Sequence, residues 1–143
     1  MTAADLLLLL ARLGATAFAG SCAYIAVAQQ PARLSLPTLE ALREFRATIP
    51  RAERLQPPLN IATLLATAVL LVLRPDLLVG LALVLLVAVL VETVAGVLPI
   101  NRRLLSGDAT DHLEHGRGAL ERWGALHLVR TVLAAAAAVL LLL

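Results

Sequence analysis

The chain has 143 residues, of which 60% are hydrophobic and 15% charged, with a formal net charge of +2 and a mean hydropathy of +0.89. That balance lies outside the range of ordinary soluble domains; all twelve basic residues are arginines, and so small a net charge gives no pointer to nucleic acid. One cysteine, Cys22, excludes an internal disulfide framework.

Four apolar runs organise the chain: Leu6–Ala28, Leu59–Leu73, Leu77–Leu98 and Gly124–Leu143. About 20 apolar residues at about 1.5 Å rise cross a hydrocarbon layer of about 30 Å. The second run is short and reaches that length when its helix starts near Leu55, with Pro57 and Pro58 in its first turns. The pattern predicts an all-α, membrane-embedded four-helix bundle as a single domain over 1–143, with spans at about 6–28, 55–73, 77–98 and 124–143.

The first run resembles an export signal, but its leading segment contains Asp5 and no basic residue, and Arg12 interrupts it. It is kept as a span. Ala15, Ala19 and Ala23 form a small-residue stripe, expected to pack against a neighbouring helix or, alternatively, a second copy of the chain. Pro31 and Pro37 bracket the exit from this span. Leu39, Leu42, Phe45 and Ile49 then follow helical spacing and predict a short interfacial helix that ends at Pro50.

Arg74-Pro75-Asp76 is a minimal turn, which makes the second and third helices antiparallel neighbours. Pro99 is read as closing the third span, and a helix from about Asp108 leads into the fourth. Asp108, Asp111, His112 and His115 have spacings open to a metal, but nothing dictates a ligand geometry. They read as a solvated connecting helix, and no metal site is assigned.

Five arginines (Arg33, Arg43, Arg46, Arg51, Arg54) fall in the first connection and four (Arg102, Arg103, Arg117, Arg122) in the third, against Arg74 alone in the second. The positive-inside rule then places the first and third connections in the cytoplasm and both termini outside, in what reads as a bacterial inner membrane. Lipid headgroups are the expected contacts of these side chains.

Polar groups in the spans carry the functional argument. Trp123, His127 and Arg130 are spaced i, i+4, i+7 and share one helix face. Arg130 lies seven residues beyond Trp123, and Glu92 lies seven residues before Pro99. Because the two helices run in opposite directions, equal counts mean equal depth, roughly 10 Å below the interface. An ionised side chain there needs a partner, so Glu92 and Arg130 are expected to pair. Asn101, Gln56 and Asn60 gather toward the same end from two other helices. The predicted site therefore gathers His127, Arg130, Asn101, Gln56, Glu92, Trp123 and Asn60 at that end of the bundle.

Several stretches together resemble the anthrone-oxygenase-like family of small four-span membrane proteins: Gly20 through Pro31-Ala32-Arg33, Arg51-Ala52-Glu53-Arg54-Leu55-Gln56, Leu98-Pro99-Ile100-Asn101-Arg102-Arg103-Leu104 and Trp123-Gly124-Ala125-Leu126-His127-Leu128-Val129-Arg130. The Pro-x-Asn-x-x-Leu and Trp-x3-His-x2-Arg pieces are the most specific. Family members often carry an acidic residue or histidine before Pro-Ala-Arg, where this chain has Gln29-Gln30. The resemblance implies O2-dependent oxidation of a hydrophobic polycyclic or phenolic substrate, such as an anthrone, without a cofactor. His127, with an ordinary pKa of about 6.5, would serve as base, and Arg130 and Asn101 would stabilise the enolate oxygen. A second class stays open: a non-enzymatic bundle, either an assembly or small-molecule-binding subunit, in which Glu92–Arg130 is purely structural.

Overall fold

A computed structural model describes residues 1–106 and 113–143. The described residues form helices and turns: α1 (Ala3–Tyr24), α2 (Gln30–Leu34), α3 (Thr38–Ala52), α4 (Gln56–Leu73), α5 (Leu77–Glu92), α6 (Leu98–Leu105) and α7 (Leu113–Leu142). Two π-helical turns, Ile25–Gln29 and Thr93–Val97, join α1 to α2 and α5 to α6. Four helical stretches are long and apolar enough to cross a membrane: Ala3–Leu34, Thr38–Leu73, Leu77–Leu105 and Leu113–Leu142. With apolar side chains such as Val27, Val72 and Leu77 facing outward, this is an integral membrane protein whose helices form a four-helix bundle. Around the bundle α1 packs on α4 and α7, α5 packs on α7, and α4 and α5 meet along the thinnest of the four seams.

Two prolines, Pro99 and Pro50, do not stop helices where the sequence predicted that they would. Pro99 lies in the first turn of α6, and the helical run continues to Leu105. Pro31 lies likewise at the start of α2. A proline removes one N–H donor and crowds the carbonyl four residues back. Here each preceding π turn takes up that misfit, through Leu98 N–H to the Thr93 carbonyl and Gln30 N–H to the Ile25 carbonyl. Pro50 lies inside α3, which runs to Ala52 rather than ending at Pro50. Pro57 and Pro58 occupy the first turn of α4, where their missing N–H groups would have had no helical acceptor. The proposed helix start near Asp108 lies outside the described residues.

The interior holds small residues where helices approach. Ala11, Ala15, Ala82 and Ala138 are buried together with Leu70 and Leu141 at the end of the bundle that carries Arg74. The packing stripe of α1 is Ala11, Ala15, Phe18 and Cys22, rotated from the expected Ala15–Ala19–Ala23 line. Gly20 has open space beside it. At the opposite, arginine-rich end, α3 buries Ala41, Leu42, Phe45 and Ile49 against Val97, Leu104, Leu120 and Trp123. The short helix of the first connection thus closes that end of the bundle.

Arginines finish three helix ends. Arg12 Nε donates to the Leu141 carbonyl at 2.6 Å at the end of α7. Arg46 Nε donates to the Leu104 carbonyl at 3.0 Å, and its Nη2 to Ser106, at the end of α6. Arg117 donates to the carbonyls of Leu34 and Leu36, just past α2. Each guanidinium satisfies carbonyls that a helix terminus leaves unpaired and sits at the negative end of its dipole.

Candidate functional site

α7 carries the deep polar groups on one buried face. Trp123, His127 and Arg130 are all buried there. Arg130 Nε donates to Glu92 Oε2 at 3.2 Å, and Nη2 donates to Thr93 Oγ1 at 2.8 Å. The Glu92–Arg130 ion pair expected from equal depth therefore forms, with side chains 12% and 8% exposed. Thr93 is a partner that the depth argument did not supply. Glu92 Oε1 has no hydrogen-bond partner among the described residues.

His127 lies one turn nearer the arginine-rich end. Its imidazole stacks on the Trp123 indole, with centroids 4.8 Å apart and planes 9° from parallel. His127 Nε2 is 3.3 Å from the Cys22 carbonyl, so it acts as the donor there, and Nδ1 is buried without a partner among the described residues. Trp123 Nε1 donates to Asn101 Oδ1 at 2.7 Å, and Asn101 Nδ2 donates to Glu53 Oε1 at 2.6 Å. Glu53 stands in the turn between α3 and α4, so this chain of bonds ties that turn through α6 to α7.

A second polar knot supports Trp123 from behind. The Arg33 side chain is fully buried and paired with Glu44. Its guanidinium carbon lies 5.0 Å from the centre of the Phe45 ring and 5.4 Å from that of Trp123, both within cation–π range. Phe45 meets Trp123 edge-on at 5.3 Å. Arg33 Nη1 donates to Gln30 Oε1 at 2.6 Å, and Gln30 Nε2 donates to the Leu120 carbonyl at 2.8 Å. Arg33 is thus no headgroup contact, contrary to the expectation for the first-connection arginines. α3 folds back and brings Glu44 and Phe45 to it.

A cavity of about 30 Å³ lies in this region, with walls that include Glu53, Gln56, Thr93, Asn101, Trp123 and Arg130. That volume suits one or two waters and is a tenth of the roughly 300 Å³ at which ligand pockets begin. It sits where the start of α4 faces the π turn between α5 and α6, along the thin α4–α5 seam. Of the residues picked from the sequence, Gln56, Asn101, Trp123 and Arg130 share its wall. Glu92 is joined through Arg130, and His127 lies behind Trp123. Asn60 is buried one turn from Gln56, with its Oδ1 unpartnered, and stays outside the wall.

Gln56 Nε2 donates to Ser21 Oγ at 3.2 Å. Gln56, Asn60, Thr63 and Thr67 form a buried polar stripe down α4, and the two threonine hydroxyls bond carbonyls one turn back. Helical spacing alone would have found that stripe. Glu53, Arg33 and Glu44 had no such signal, since each lies beside exposed charges in a polar connection. Among the described residues no group of three or more His, Cys, Asp or Glu side chains is placed to hold a metal. Three members of the Asp108–His115 cluster, Asp108, Asp111 and His112, lie outside the described residues.

No curated protein and no solved structure matches the chain. The sequence model of one family, described as anthrone oxygenase, matches residues 45–140. That stretch contains every wall residue named above together with Glu92 and His127, and leaves out only the contributions of α1, α2 and the first turns of α3. With two thirds of its length matched, and with the four spans the resemblance implied, the chain belongs to the anthrone oxygenase family.

Proposed function

We propose that this protein oxidises a flat, hydrophobic phenolic or polycyclic substrate of the anthrone class with O2, at the cavity between the start of α4 and the α5–α6 junction, without a cofactor. The carrying observation is Arg130, a buried guanidinium whose Nε and Nη2 are fixed by Glu92 and Thr93 while it forms part of a cavity wall. A pre-oriented cation in a water-poor site stabilises a developing enolate oxygen far better than solvent does. The remaining Asn101 N–H hydrogen is the second donor available for that oxygen. Gln56 and Trp123 hold the substrate's edge and face, with Asn60 and Glu92 behind them, and His127 fixes the plane of Trp123.

The reaction balances without another reductant. Loss of one benzylic proton gives the enolate, which passes two electrons to O2 and forms a carbon-bound peroxide. Removal of the second proton from that carbon breaks the O–O bond and leaves a ketone. The sum is anthrone plus O2 to anthraquinone plus water. A lipid-soluble substrate reaches the cavity from the bilayer, and the α4–α5 seam widens to admit it. The arginine-rich end faces the cytoplasm of a bacterial plasma membrane in this reading, with both termini outside, following the nine-to-one arginine asymmetry.

A second reading has its own support. The cavity is water-sized, and Glu92–Arg130 joins two helices as a clamp would, so a non-enzymatic bundle that binds a small molecule or a partner subunit also fits. Purified protein incubated with anthrone in air decides between them. Quinone absorbance should rise well above the protein-free rate, with one O2 consumed per quinone formed. A rate equal to the blank removes the oxygenase reading and leaves the second.

A further inference from the structure

We propose that Glu53 is the group that takes the benzylic proton, an inference that rests on the oxygenase reading above. The sequence pointed to His127. In the fold, His127 turns Nε2 to the Cys22 carbonyl and lies behind Trp123, outside the cavity wall. Glu53 is in that wall, across the same small space that Arg130 borders. A base and an anion stabiliser bordering one cavity is the arrangement that proton abstraction next to a carbonyl requires.

The carboxylate is held by a continuous chain of contacts. Asn101 Nδ2 fixes Oε1 at 2.6 Å, the Trp123 N–H fixes the Asn101 oxygen at 2.7 Å, and Trp123 is wedged against Phe45 and Arg33. Besides the substrate contacts proposed above, Asn101 and Trp123 therefore also position Glu53. The second oxygen, Oε2, has no protein hydrogen bond among the described residues, and no arginine within ion-pair distance neutralises the group. Its lone pairs are therefore unspent. Glu53 also stands half-buried in a turn at the end of the bundle. The proton moves from the substrate C–H to the Glu53 carboxylate, and the C–H electron pair stays on the substrate as the enolate. Glu53 then returns this proton to the outer oxygen of the peroxide. It takes the second C–H proton as that bond's electron pair forms the ketone and the O–O bond breaks, and passes it to the departing hydroxide, which leaves as water.

Proton abstraction can be read without oxidation. Under argon in D2O, wild-type protein in detergent should accelerate deuterium incorporation at the benzylic carbon of anthrone over the protein-free rate. Glu53→Gln keeps an oxygen for Asn101, so the Asn101–Trp123 bond and Trp123 fluorescence should persist, while exchange falls by about 100-fold or more. Glu53→Ala supplies a second, independent measurement: added formate should restore exchange to this variant and leave the wild type unaffected, a response that a purely structural role does not give. Exchange at the wild-type rate in Glu53→Gln, or formate-indifferent exchange in Glu53→Ala, overturns the assignment. Wild-type protein that accelerates neither exchange nor oxidation overturns the oxygenase reading, and Glu53's role with it.

Discussion

Cutting the Glu92–Arg130 pair from either side should cost unequal amounts, and the inequality follows from what each survivor can do. In Glu92→Ala the guanidinium stays buried, 8% exposed as a side chain, with the Thr93 hydroxyl at 2.8 Å as its one remaining acceptor among the described residues. Arginine cannot shed its proton, so a full charge is left in a low-dielectric interior, and the loss should approach the ~3–5 kcal/mol of a broken buried pair. In Arg130→Ala the survivor is a carboxyl group that can take up a proton and become neutral. What it then lacks is a hydrogen-bond partner for Oε2, with Oε1 already unpartnered, and the loss should be nearer ~1–3 kcal/mol. The double variant removes both charges, so its cost should fall short of the sum by ~0.5–3 kcal/mol.

Unfolding in mixed micelles of rising denaturing-detergent content measures these differences. Trp123, the single tryptophan, is a built-in reporter one turn from His127 and two from Arg130. Equal losses in the two single variants would refute the asymmetry. Additivity of the singles within ~0.3–0.5 kcal/mol would show that the two side chains do not interact at all, despite a separation of 3.2 Å.

Gly124 should tolerate no side chain: an added Cβ would lie 2.8 Å from Gln30 Nε2 and 3.0 Å from its Cγ. Gly124→Ala should therefore displace Gln30, release Arg33 Nη1 and cost ~1–3 kcal/mol, whereas Gly20→Ala, with open space beside it, should be neutral or stabilise by up to ~1 kcal/mol; thermal midpoints of the two variants compare them directly, and equal effects would contradict the packing. The orientation proposed from the arginines predicts that a membrane-impermeant maleimide on intact cells labels Leu77→Cys and not Arg103→Cys, with buried Cys22 silent; labelling of both from the same side would overturn the topology.

What the sequence made legible was whatever depends on depth along a helix. Residue counts from Trp123 and Pro99 were enough to bring Arg130 and Glu92 together, because two antiparallel spans in one bilayer share a ruler of about 1.5 Å per residue. The same counting placed Gln56, Asn101 and Trp123 at one end. It failed wherever a proline was taken as a stop. Pro99 read as the end of a span, which left Asn101 in a connection, free to turn any way. The π turn at Thr93–Val97 instead carries the helix to Leu105, and only then does Asn101 sit rigidly between Trp123 and Glu53. Likewise Pro50 lies inside α3 and not at its end, and the part of α3 before it brings Glu44 and Phe45 onto Arg33, an arginine that composition counts as one more topology signal. Charge statistics treat the nine connection arginines as equivalent, yet Arg33, Arg46 and Arg117 each hold defined partners in the fold. The positive-inside bias and the packing of this end thus draw on the same residues, and an arginine count alone cannot separate them. Both π turns border the polar site: Ile25, Thr93 and Val97 all line its cavity. A π turn presents backbone and side chains out of the regular helical register and occurs frequently at functional sites. Thr93 meets the cavity where that register breaks, so the feature that hid it from helical counting is one that builds the site, whereas Glu53 reaches the same cavity from the turn between α3 and α4, where helical spacing gives no register at all.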